Sequence, residues 1–426
     1  MRYEELSRKR MDKKSFFSDV LFKREFLSVF IIVVNAFSWY FPLYALFTDM
    51  VYNLPIDYTT ILAIFGVHYA AVIASGIIGI AIVNKLVSRS TLLSLWMLVG
   101  IIASILMSTL PEGTQPQIFL IAFFLGISLG LGFPSCLAYF ADYGTVEYRG
   151  RLGGFTYCVA GLGIFSMGLS TIMFTLPVIA TIFAVWRGIG LIAFTFIKPQ
   201  GKTTQKEVDV SYRTVLGERS FALYLIPWIM FSLINYLERP IHKSLFGTDL
   251  FYLQQIVEFG IGSIVALIGG FFSDMVGRKR IVILGYVMLG IGYASLGVFP
   301  NTVISWYFYI AVDGVAWGIF ALTFFIIIWG ELAESRVKDK YYFLGALPFL
   351  ISSYIEIIVA PYGELISAST SFSLASFFLF LAVLPLMYAP ETLPEKKIEL
   401  KRQKDYVKQA KKKRDELFAK NGVKKD

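Results

Sequence analysis

The sequence predicts an all-α polytopic membrane protein, with twelve transmembrane helices in two six-helix bundles. The first observation is composition: 56% of the 426 residues are hydrophobic and 16% are charged, whereas a soluble protein carries about a quarter charged residues. The second is a series of long apolar runs, and the third is an internal repeat. A bilayer core of about 30 Å needs about 20 apolar residues per helix, and helices satisfy every backbone group internally.

Twelve apolar runs reach this length, and we number them spans 1 to 12 in chain order. They are 26–47, 60–84, 91–110, 117–140, 152–173, 177–197, 221–237, 250–273, 281–299, 303–329, 341–362 and 368–389. The residues before span 1 are densely charged, and the run itself is too long for the core of a signal peptide. Span 1 is therefore predicted to be retained as the first membrane helix.

Basic residues lie almost entirely on one side of the predicted spans. Of 39 Lys and Arg residues, 36 fall on the side that carries both termini, and only Arg239 and Lys243 fall on the other. The positive-inside rule therefore places both termini in the cytoplasm of a protein in the plasma membrane. The same asymmetry accounts for the net charge of +9, because a basic face is attracted to anionic lipid headgroups, and it argues against nucleic-acid binding.

The connections between the runs give the predicted domain limits. These are a cytoplasmic tail (1–25), a first bundle (26–197), a linker (198–220), a second bundle (221–389) and a charged cytoplasmic tail (390–426). The last tail mixes both charge signs with few apolar residues, which predicts a solvated helix. Two Cys and two His offer neither a disulfide framework nor a zinc site, and we expect no metal and no cofactor.

A single offset of 189 residues aligns the two halves of the chain. It places spans 4, 5 and 6 on spans 10, 11 and 12, and it also aligns the charged loops: Arg89 falls on Arg278, Arg149 on Lys338 and Asp142 on Glu331. Helices and loop charges thus repeat together. Two six-helix units that start on the same side of the membrane are parallel repeats.

The turn after span 8 carries a glycine and charge motif. It reads Gly270-x-x-x-Asp274-x-x-Gly277-Arg278-Lys279-Arg280. Gly277 suits a turn with positive φ, while Asp274 lies near a helix C-terminus, where an anion needs a cationic or helix-N-terminal partner from elsewhere. A phosphate-binding P-loop is excluded by the spacing and by the missing Lys-Ser/Thr pair and strand. The motif resembles the loop motif of the major facilitator transporters.

The first half carries a degraded copy of this motif. Ala81, Lys85, Ser88 and Arg89 occupy the corresponding places. Because Lys85 reverses the charge of the aspartate, a gate built on that carboxylate is not expected in this half.

Two further segments strengthen the resemblance. Pro134, Tyr139 and Asp142 precede Arg149-Gly150, and Pro390-Glu391-Thr392 follows span 12; both are similar to sugar-porter patterns. In each half an acid ends one span and a base follows seven residues later, as in Asp142 with Arg149 and Glu331 with Lys338. Ion pairs that form in only one conformation there would bias a gate.

The resemblance implies a fold in which spans 1, 4, 7 and 10 line a central cavity and spans 2, 5, 8 and 11 flank it. It does not carry over hexose recognition, because the residues that bind sugar in the family are changed. Tyr157 and Trp228 stand where the family has Gln, and Ala122 lies nearest to the usual Arg of span 4, although Asn235 falls close to a family Asn.

Ionisable residues inside predicted spans are the main functional candidates, since a charge at mid-bilayer costs at least about 2.5–3.5 kcal/mol. They are His68, Arg187, Glu258, Asp313 and Glu356. Asp313 and Glu356 are the predicted proton carriers, and Glu258 is a third proton-coupling candidate or an outer gate. For each acid a structural hydrogen bond between helices is the alternative, for Arg187 an ion pair or snorkelling, and for His68 simple packing.

A second group of residues is predicted to contact the solute. It combines polar and aromatic side chains within the spans, and Trp228, Ser232 and Asn235 share one face of span 7. The candidates are Asn35, Tyr157, Trp228, Ser232, Asn235, Trp317, Arg187 and His68.

These features predict a monomeric secondary transporter that moves a small organic solute together with protons through the lipid bilayer. The alternatives are a proton-antiporting exporter of hydrophobic compounds, which the aromatic residues favour, and a non-transporting receptor of the same fold. A membrane-embedded enzyme is disfavoured, because the acids are scattered and no His, Cys and Ser residues cluster in the sequence.

Overall fold

The computed structural model describes residues 23–110, 113–143, 148–198, 208–334 and 336–393. The sequence-based predictions for most of the N-terminal tail, for part of the linker and for the charged C-terminal helix therefore lie outside the described residues. Within the described part, twelve helices are long and apolar enough to cross a membrane, which confirms the predicted fold class.

The twelve spans follow the predicted order. Their bounds are Arg24–Tyr52, Tyr58–Val83, Arg89–Met107, Gln115–Tyr143, Arg149–Met173, Leu176–Ile197, Arg219–Gly247, Leu253–Val276, Arg278–Val298, Val303–Leu332, Lys338–Tyr362 and Ala368–Tyr388. A short helix, Tyr212–Gly217, lies in the connection between spans 6 and 7.

Span 7 is longer than the sequence predicts. Its apolar run ends at residue 237, and Arg239 and Lys243 were placed in an external loop, but the helix continues to Gly247, where φ reaches 78° and ends it. The prediction was wrong because polar residues interrupt the hydropathy pattern. In the structure two of the polar residues in this extension, Glu238 and His242, are buried, whereas Arg239 is partly buried and Lys243 is exposed.

Helix packing repeats between the two halves, as the 189-residue offset predicts. In the first half, span 2 packs on span 4, span 3 on span 6 and span 1 on span 5. The second half has the same three pairs: span 8 with span 10, span 9 with span 12 and span 7 with span 11. The chain is therefore two copies of one six-helix packing scheme.

The fourth span of each half departs from regular α-helix at the same place. Span 4 breaks between Gly130 and Phe133, and span 10 changes to a π-helix over Ala321–Ile327. An offset of 189 places Leu131 on Phe320 and Gly132 on Ala321. Irregular turns inside helices are frequent at functional sites, and here both lie in the middle of a membrane span.

The two halves meet along spans 5 and 8 and along spans 2 and 11. Spans 5 and 8 approach so closely that a Cβ on Gly154 would overlap the carbonyl oxygen of Ala266, and one on Gly270 would overlap that of Gly150. A Cβ on Gly168 of span 5 would meet nothing within 4 Å. The crossing is therefore tightest toward one end of the molecule. We call this end the motif end, defined by residues 85–89, 142–143, 148–149, 274–280, 331–334 and 336–338. The other end is called the opposite end.

Candidate functional site

The predicted site residues fall into two groups at different depths. The charged loop residues gather at the motif end, where they bind across the two halves. The intramembrane acids gather nearer the opposite end, in the second half, on the side that faces the first.

Asp274 occupies the centre of the motif end. Its carboxylate accepts hydrogen bonds from the backbone N–H groups of Gly150 (2.9 Å) and Arg151 (3.0 Å), at the N-terminus of span 5 in the other half. Arg278 donates to the same carboxylate at 2.6 Å. Asp274 thus has both kinds of partner expected for an anion at a helix C-terminus, a cation and a helix N-terminus. The interaction ties the second half to the first.

Arg278 links Asp274 to a second acid. Its side chain is fully buried, and Nη2 lies 3.3 Å from Glu331 Oε1 at the end of span 10. Gly277 adopts φ 106°, and the backbone N–H of Arg278 donates to Glu391 at 2.7 Å, so the segment after span 12 closes over this turn. The motif's glycine therefore has the positive φ that the sequence predicts.

The acid and base seven residues apart in each half pair across the halves. Asp142 lies 2.9 Å from Lys338, and Glu331 lies 3.6 Å from Arg149. Because each pair joins one half to the other, it can persist only while the motif end is closed. Arg280, in contrast, is exposed and forms no ion pair with any residue in the described part of the chain.

Arg89 has two acidic partners. It binds Asp142 of its own half and Asp339, which begins span 11 in the other half, at 2.5 Å. Asp339 is fully buried and also accepts a 2.5 Å hydrogen bond from Ser135. Asp339 was not among the residues predicted from the sequence, although it stands next to Lys338, because its partner Arg89 lies 250 positions away in the chain.

The intramembrane acids form a connected group in the second half. Asp313 on span 10 and Glu258 on span 8 are neighbouring carboxyl groups, and Gln254 donates to Asp313 at 3.4 Å. Glu356 on span 11 lies 3.4 Å from Arg239 of span 7, and Arg239 is also within electrostatic range of Glu258. Spans 7, 8, 10 and 11 thus bring the three predicted proton-coupling acids into one region around one arginine.

This region faces the first half. Tyr157 of span 5 is buried and lies within electrostatic range of Glu258. On the other flank, Tyr44 and Tyr69 are hydrogen bonded at 2.6 Å, and Tyr69 donates at 2.6 Å to Ser353, one turn before Glu356. We call the acids, Arg239 and these partners the interior polar site.

Asn235 and Trp317 lie together, since Trp317 Nε1 donates to Asn235 at 3.2 Å. Trp228 is fully buried, stacks on Phe324 and donates to the carbonyl of Gly345. In this conformation it therefore offers no polar atom to a solute. Ser232 is also fully buried. Of the predicted solute contacts in span 7, only Asn235 is partly exposed.

His68 lies within the first half. Its Nδ1 is 3.2 Å from the carbonyl of Ala122, and its Nε2 is 3.1 Å from the hydroxyl of Tyr40. A carbonyl only accepts, so Nδ1 carries a proton, and the ring joins spans 1, 2 and 4. The contacts match the packing role weighed for this residue.

Arg187 also lies within the first half, between spans 1, 3 and 6. Its guanidinium is fully buried between the rings of Trp39 and Trp96, at 4.9 and 4.2 Å from their centroids. It donates to Asn35 at 2.9 Å, and it forms no ion pair with a carboxylate in the described part of the chain. Arg187 and Asn35 are thus brought together, but away from the interior polar site.

The extension of span 7 adds a second feature that the sequence analysis missed. His242 is surrounded by aromatic rings, with Trp306 and Tyr309 each 5.0 Å away between ring centroids. Neither ring nitrogen of His242 has a hydrogen-bond partner among the described residues. Glu238 lies one turn before His242 on the same helix. A prediction that extended the helix past residue 237 would have placed both residues on one face.

Comparison with known proteins agrees with this architecture. The family model described as Major Facilitator Superfamily matches residues 28–341. No significant match is found among curated protein sequences. Among solved structures, the proton:xylose symporter XylE bound to 6-bromo-6-deoxy-D-glucose is 14% identical, with a TM-score of 0.65 over 88% of this chain and 97% of that one. The human organic anion transporter MFSD10 (TETRAN) is 13% identical, with a TM-score of 0.61 over 85% and 99%.

Proposed function

Because the chain belongs to the Major Facilitator Superfamily, we propose that it is a secondary active transporter that moves a small organic solute, a sugar or another metabolite, by alternating access. The observation that carries the proposal is the placement of two polar regions. The motif end is held by ion pairs between the halves, while the interior polar site lies further into the same interface. Opening one end while closing the other would expose this site to each side in turn.

Proton symport is the coupling that the interior polar site supports. Asp313 and Glu258 are neighbouring carboxyl groups in a membrane-embedded position. Two adjacent carboxylates repel each other when both are charged, so the pair is suited to bind and release one proton. Arg239 can compensate the charge of Glu356 throughout the cycle. The XylE structure is named a proton:xylose symporter, which supports the same coupling here.

The proposed setting is the plasma membrane, with a monomer whose motif end faces the cytoplasm. The charge asymmetry of the loops supports this orientation. In this arrangement the structure is closed toward the cytoplasm, and the solute enters from the outside.

The test is transport by purified protein in proteoliposomes, with D-xylose and D-glucose as the first solutes and trapped pyranine as the pH indicator. We expect a sugar gradient to move protons in the same direction. The Asp313→Asn variant should lose accumulation driven by a pH gradient by about tenfold or more, because a neutral amide cannot carry the proton. It should keep sugar exchange at equal concentrations, which needs no net proton transfer.

Asp57→Asn is the matched control. Asp57 is an exposed N-cap of span 2, where hydrogen bonds from Thr60 lower its pKa, so it stays ionised. Its carboxylate is held by Thr60 and not by a residue of the interior polar site. Asn caps helices as well as Asp. Accumulation that survives in Asp313→Asn, or that fails equally in Asp57→Asn, would contradict proton carriage by Asp313.

An exporter of hydrophobic compounds is the second candidate, because the wall beside the interior polar site is aromatic. Trp317 lies 5.1 Å from Phe231 and 5.7 Å from Phe349 between ring centroids. An exporter would expel a dye such as ethidium as protons enter. A ligand-induced thermal shift without any flux would instead identify a receptor.

A further inference from the structure

The loop arginines of the two halves, Arg278 and Arg89, are each paired with two acids, but the acids come from different positions. Arg278 of the second half contacts two acids, Asp274 and Glu331. Its repeat equivalent, Arg89, also contacts two acids, Asp142 and Asp339. Glu331 is the repeat equivalent of Asp142, so this acid is common to both halves.

The second acid differs between the halves. The repeat equivalent of Asp274 is Lys85, and the repeat equivalent of Asp339 is Gly150. In the second-half motif the carboxylate therefore stands at the end of span 8 and faces a glycine at the start of span 5. In the first-half motif a lysine ends span 2 and the carboxylate stands at the start of span 11.

Sterics explain why each motif holds only one such acid. A Cβ on Gly150 would lie 2.5 Å from Asp274 Oδ1, so position 150 has no room for a side chain while Asp274 is present. Two carboxylates at this spacing would also repel each other strongly.

We propose that Asp339 supplies, from the opposite half, the carboxylate that position 85 lacks, and thereby holds the motif end closed. The inference rests on the alternating-access function proposed above. The two motifs then differ in whether the arginine–aspartate pair itself crosses the interface between the halves. In the second-half motif the Arg278–Asp274 pair lies within one half, whereas the Arg89–Asp339 pair itself joins the two halves.

Burial and hydrogen bonding make Asp339 the central group of this contact. Its side chain is fully buried, it binds Arg89 at 2.5 Å, and Ser135 of the first half donates to it at 2.5 Å. Next to it, Lys340 binds Asp209 of the linker at 2.6 Å. Loss of Asp339 would leave Arg89 with Asp142, an acid of its own half, as its remaining partner. The pair that joins the halves would then be gone, which should favour their separation.

The experiment measures the distance between the halves directly. Spin labels replace Phe196 and Met387, exposed side chains at the motif ends of spans 6 and 12, in protein whose Cys136 and Cys158 are replaced by Ala. In Asp339→Asn we expect the long-distance, open population to rise about tenfold or more relative to the parent. Ser135→Ala should shift the distribution in the same direction by less, because it removes a single hydrogen bond and leaves the charges paired.

Variants that move the carboxylate from position 339 to position 85 give the decisive comparison. Asp339→Gly alone should open the motif end. Lys85→Asp alone should also open it, because two carboxylates then face each other. The double variant Lys85→Asp with Asp339→Gly copies the arrangement of Asp274 and Gly150, and we expect it to restore most of the closed population.

Each outcome decides one question. A distance distribution unchanged in Asp339→Asn would overturn the role of Asp339, and a double variant as open as Asp339→Gly would overturn the exchange of positions. Protein that keeps one distance at every pH, and with every solute in a panel of sugars, organic acids and amino acids, contradicts alternating access itself. If Asp339→Gly does not fold, the isosteric Asp339→Asn and Ser135→Ala still test the contact.

Discussion

At the scale of single residues, Arg187 is an unusual buried cation. Within the described chain it has two tryptophan rings and one amide oxygen as partners but no carboxylate. A buried charge without an opposite charge usually costs stability, and an apolar side chain of similar size often replaces it without loss. Its charge is therefore not expected to add to stability, and anion binding remains a prediction for this residue.

We predict that Arg187→Lys is more damaging to stability than Arg187→Met. Lysine keeps the buried charge but loses the planar stacking on Trp39 and Trp96, which should cost about 2 kcal/mol. Methionine removes the charge and fills the space, but leaves Asn35 Oδ1 without its donor, so the net change should stay within about 1 kcal/mol. Thermal unfolding in detergent, followed by tryptophan fluorescence, measures both.

If the lysine variant were the more stable of the two, stacking would not be what holds Arg187. If both variants kept the parental Tm and changed only the apparent KM of transport, Arg187 would belong to the solute site.

At the motif end, the sequence predicted which kinds of group must pair, but not all of the residues that do so. Because Asp274 lies at a helix C-terminus, it needs a cation or a helix N-terminus as a partner. The structure provides both, as Arg278 and the N-terminus of span 5. Asp339 was missed because sequence order separates it from Arg89 by 250 positions. Only the packing of the two halves, in which span 11 contacts spans 2 and 4, brings them together, and no single-sequence pattern encodes that contact.

At the scale of elements, the crossing of spans 5 and 8 depends on glycines at the motif end. Gly269 and Gly270 are neighbours on span 8 with opposite surroundings. A Cβ on Gly270 would overlap the backbone of Gly150, while one on Gly269 would meet nothing within 4 Å. These two positions form a matched pair.

We predict that Gly270→Ala separates spans 5 and 8 and destabilises the closed motif end by about 1–3 kcal/mol. Gly269→Ala should be neutral or stabilising by up to about 1 kcal/mol, because alanine favours the helix. Thermal unfolding and the spin-label distances between residues 196 and 387 report the two effects. Equal effects of the two substitutions would mean that helix propensity, and not the close approach, governs this crossing.

Element boundaries were predictable where hydropathy alone sets them. Eleven spans begin and end within about five residues of the predicted runs, whereas the C-terminal end of span 7 lies ten residues beyond its run, at Gly247. Polar residues such as Glu238 read as a loop in a hydropathy pattern but pack inward here. The π-helix of span 10 was also unpredicted, since a change from i+4 to i+5 hydrogen bonding leaves the apolar character of a segment unchanged.

At the scale of the whole molecule, the fold class and the two-fold repeat could be predicted from sequence, because lipid allows only helices and because the charged loops mark both copies. The sequence did not allow us to predict which end of the molecule is closed. Which end is closed depends on small free-energy differences between two packings of the same chain.

The proposed orientation predicts which loops are accessible from outside a cell. In protein lacking Cys136 and Cys158, a cysteine at Asn301, exposed between spans 9 and 10, should react with a membrane-impermeant maleimide in intact cells. A cysteine at Leu86, 77% exposed at the motif end, should react only after permeabilisation. The reverse pattern would place the motif end outside and invert the proposed direction of entry.

The contacts that join the halves differ in kind at the two ends. At the motif end they are ion pairs, whereas toward the opposite end neutral tyrosines of spans 2 and 11 donate to backbone oxygens, as Tyr58 does to Ile357 and Tyr354 does to Leu62. Dissolved salt competes with partly accessible charges but hardly with neutral hydrogen bonds. Most pairs at the motif end are buried and are screened much less, so ionic strength on that side would act mainly on the partly accessible Asp142–Lys338 pair. In the proposed orientation, cytosolic salt would thus reach the release side of the cycle mainly through this pair, while the neutral tyrosine contacts on the capture side would stay unchanged.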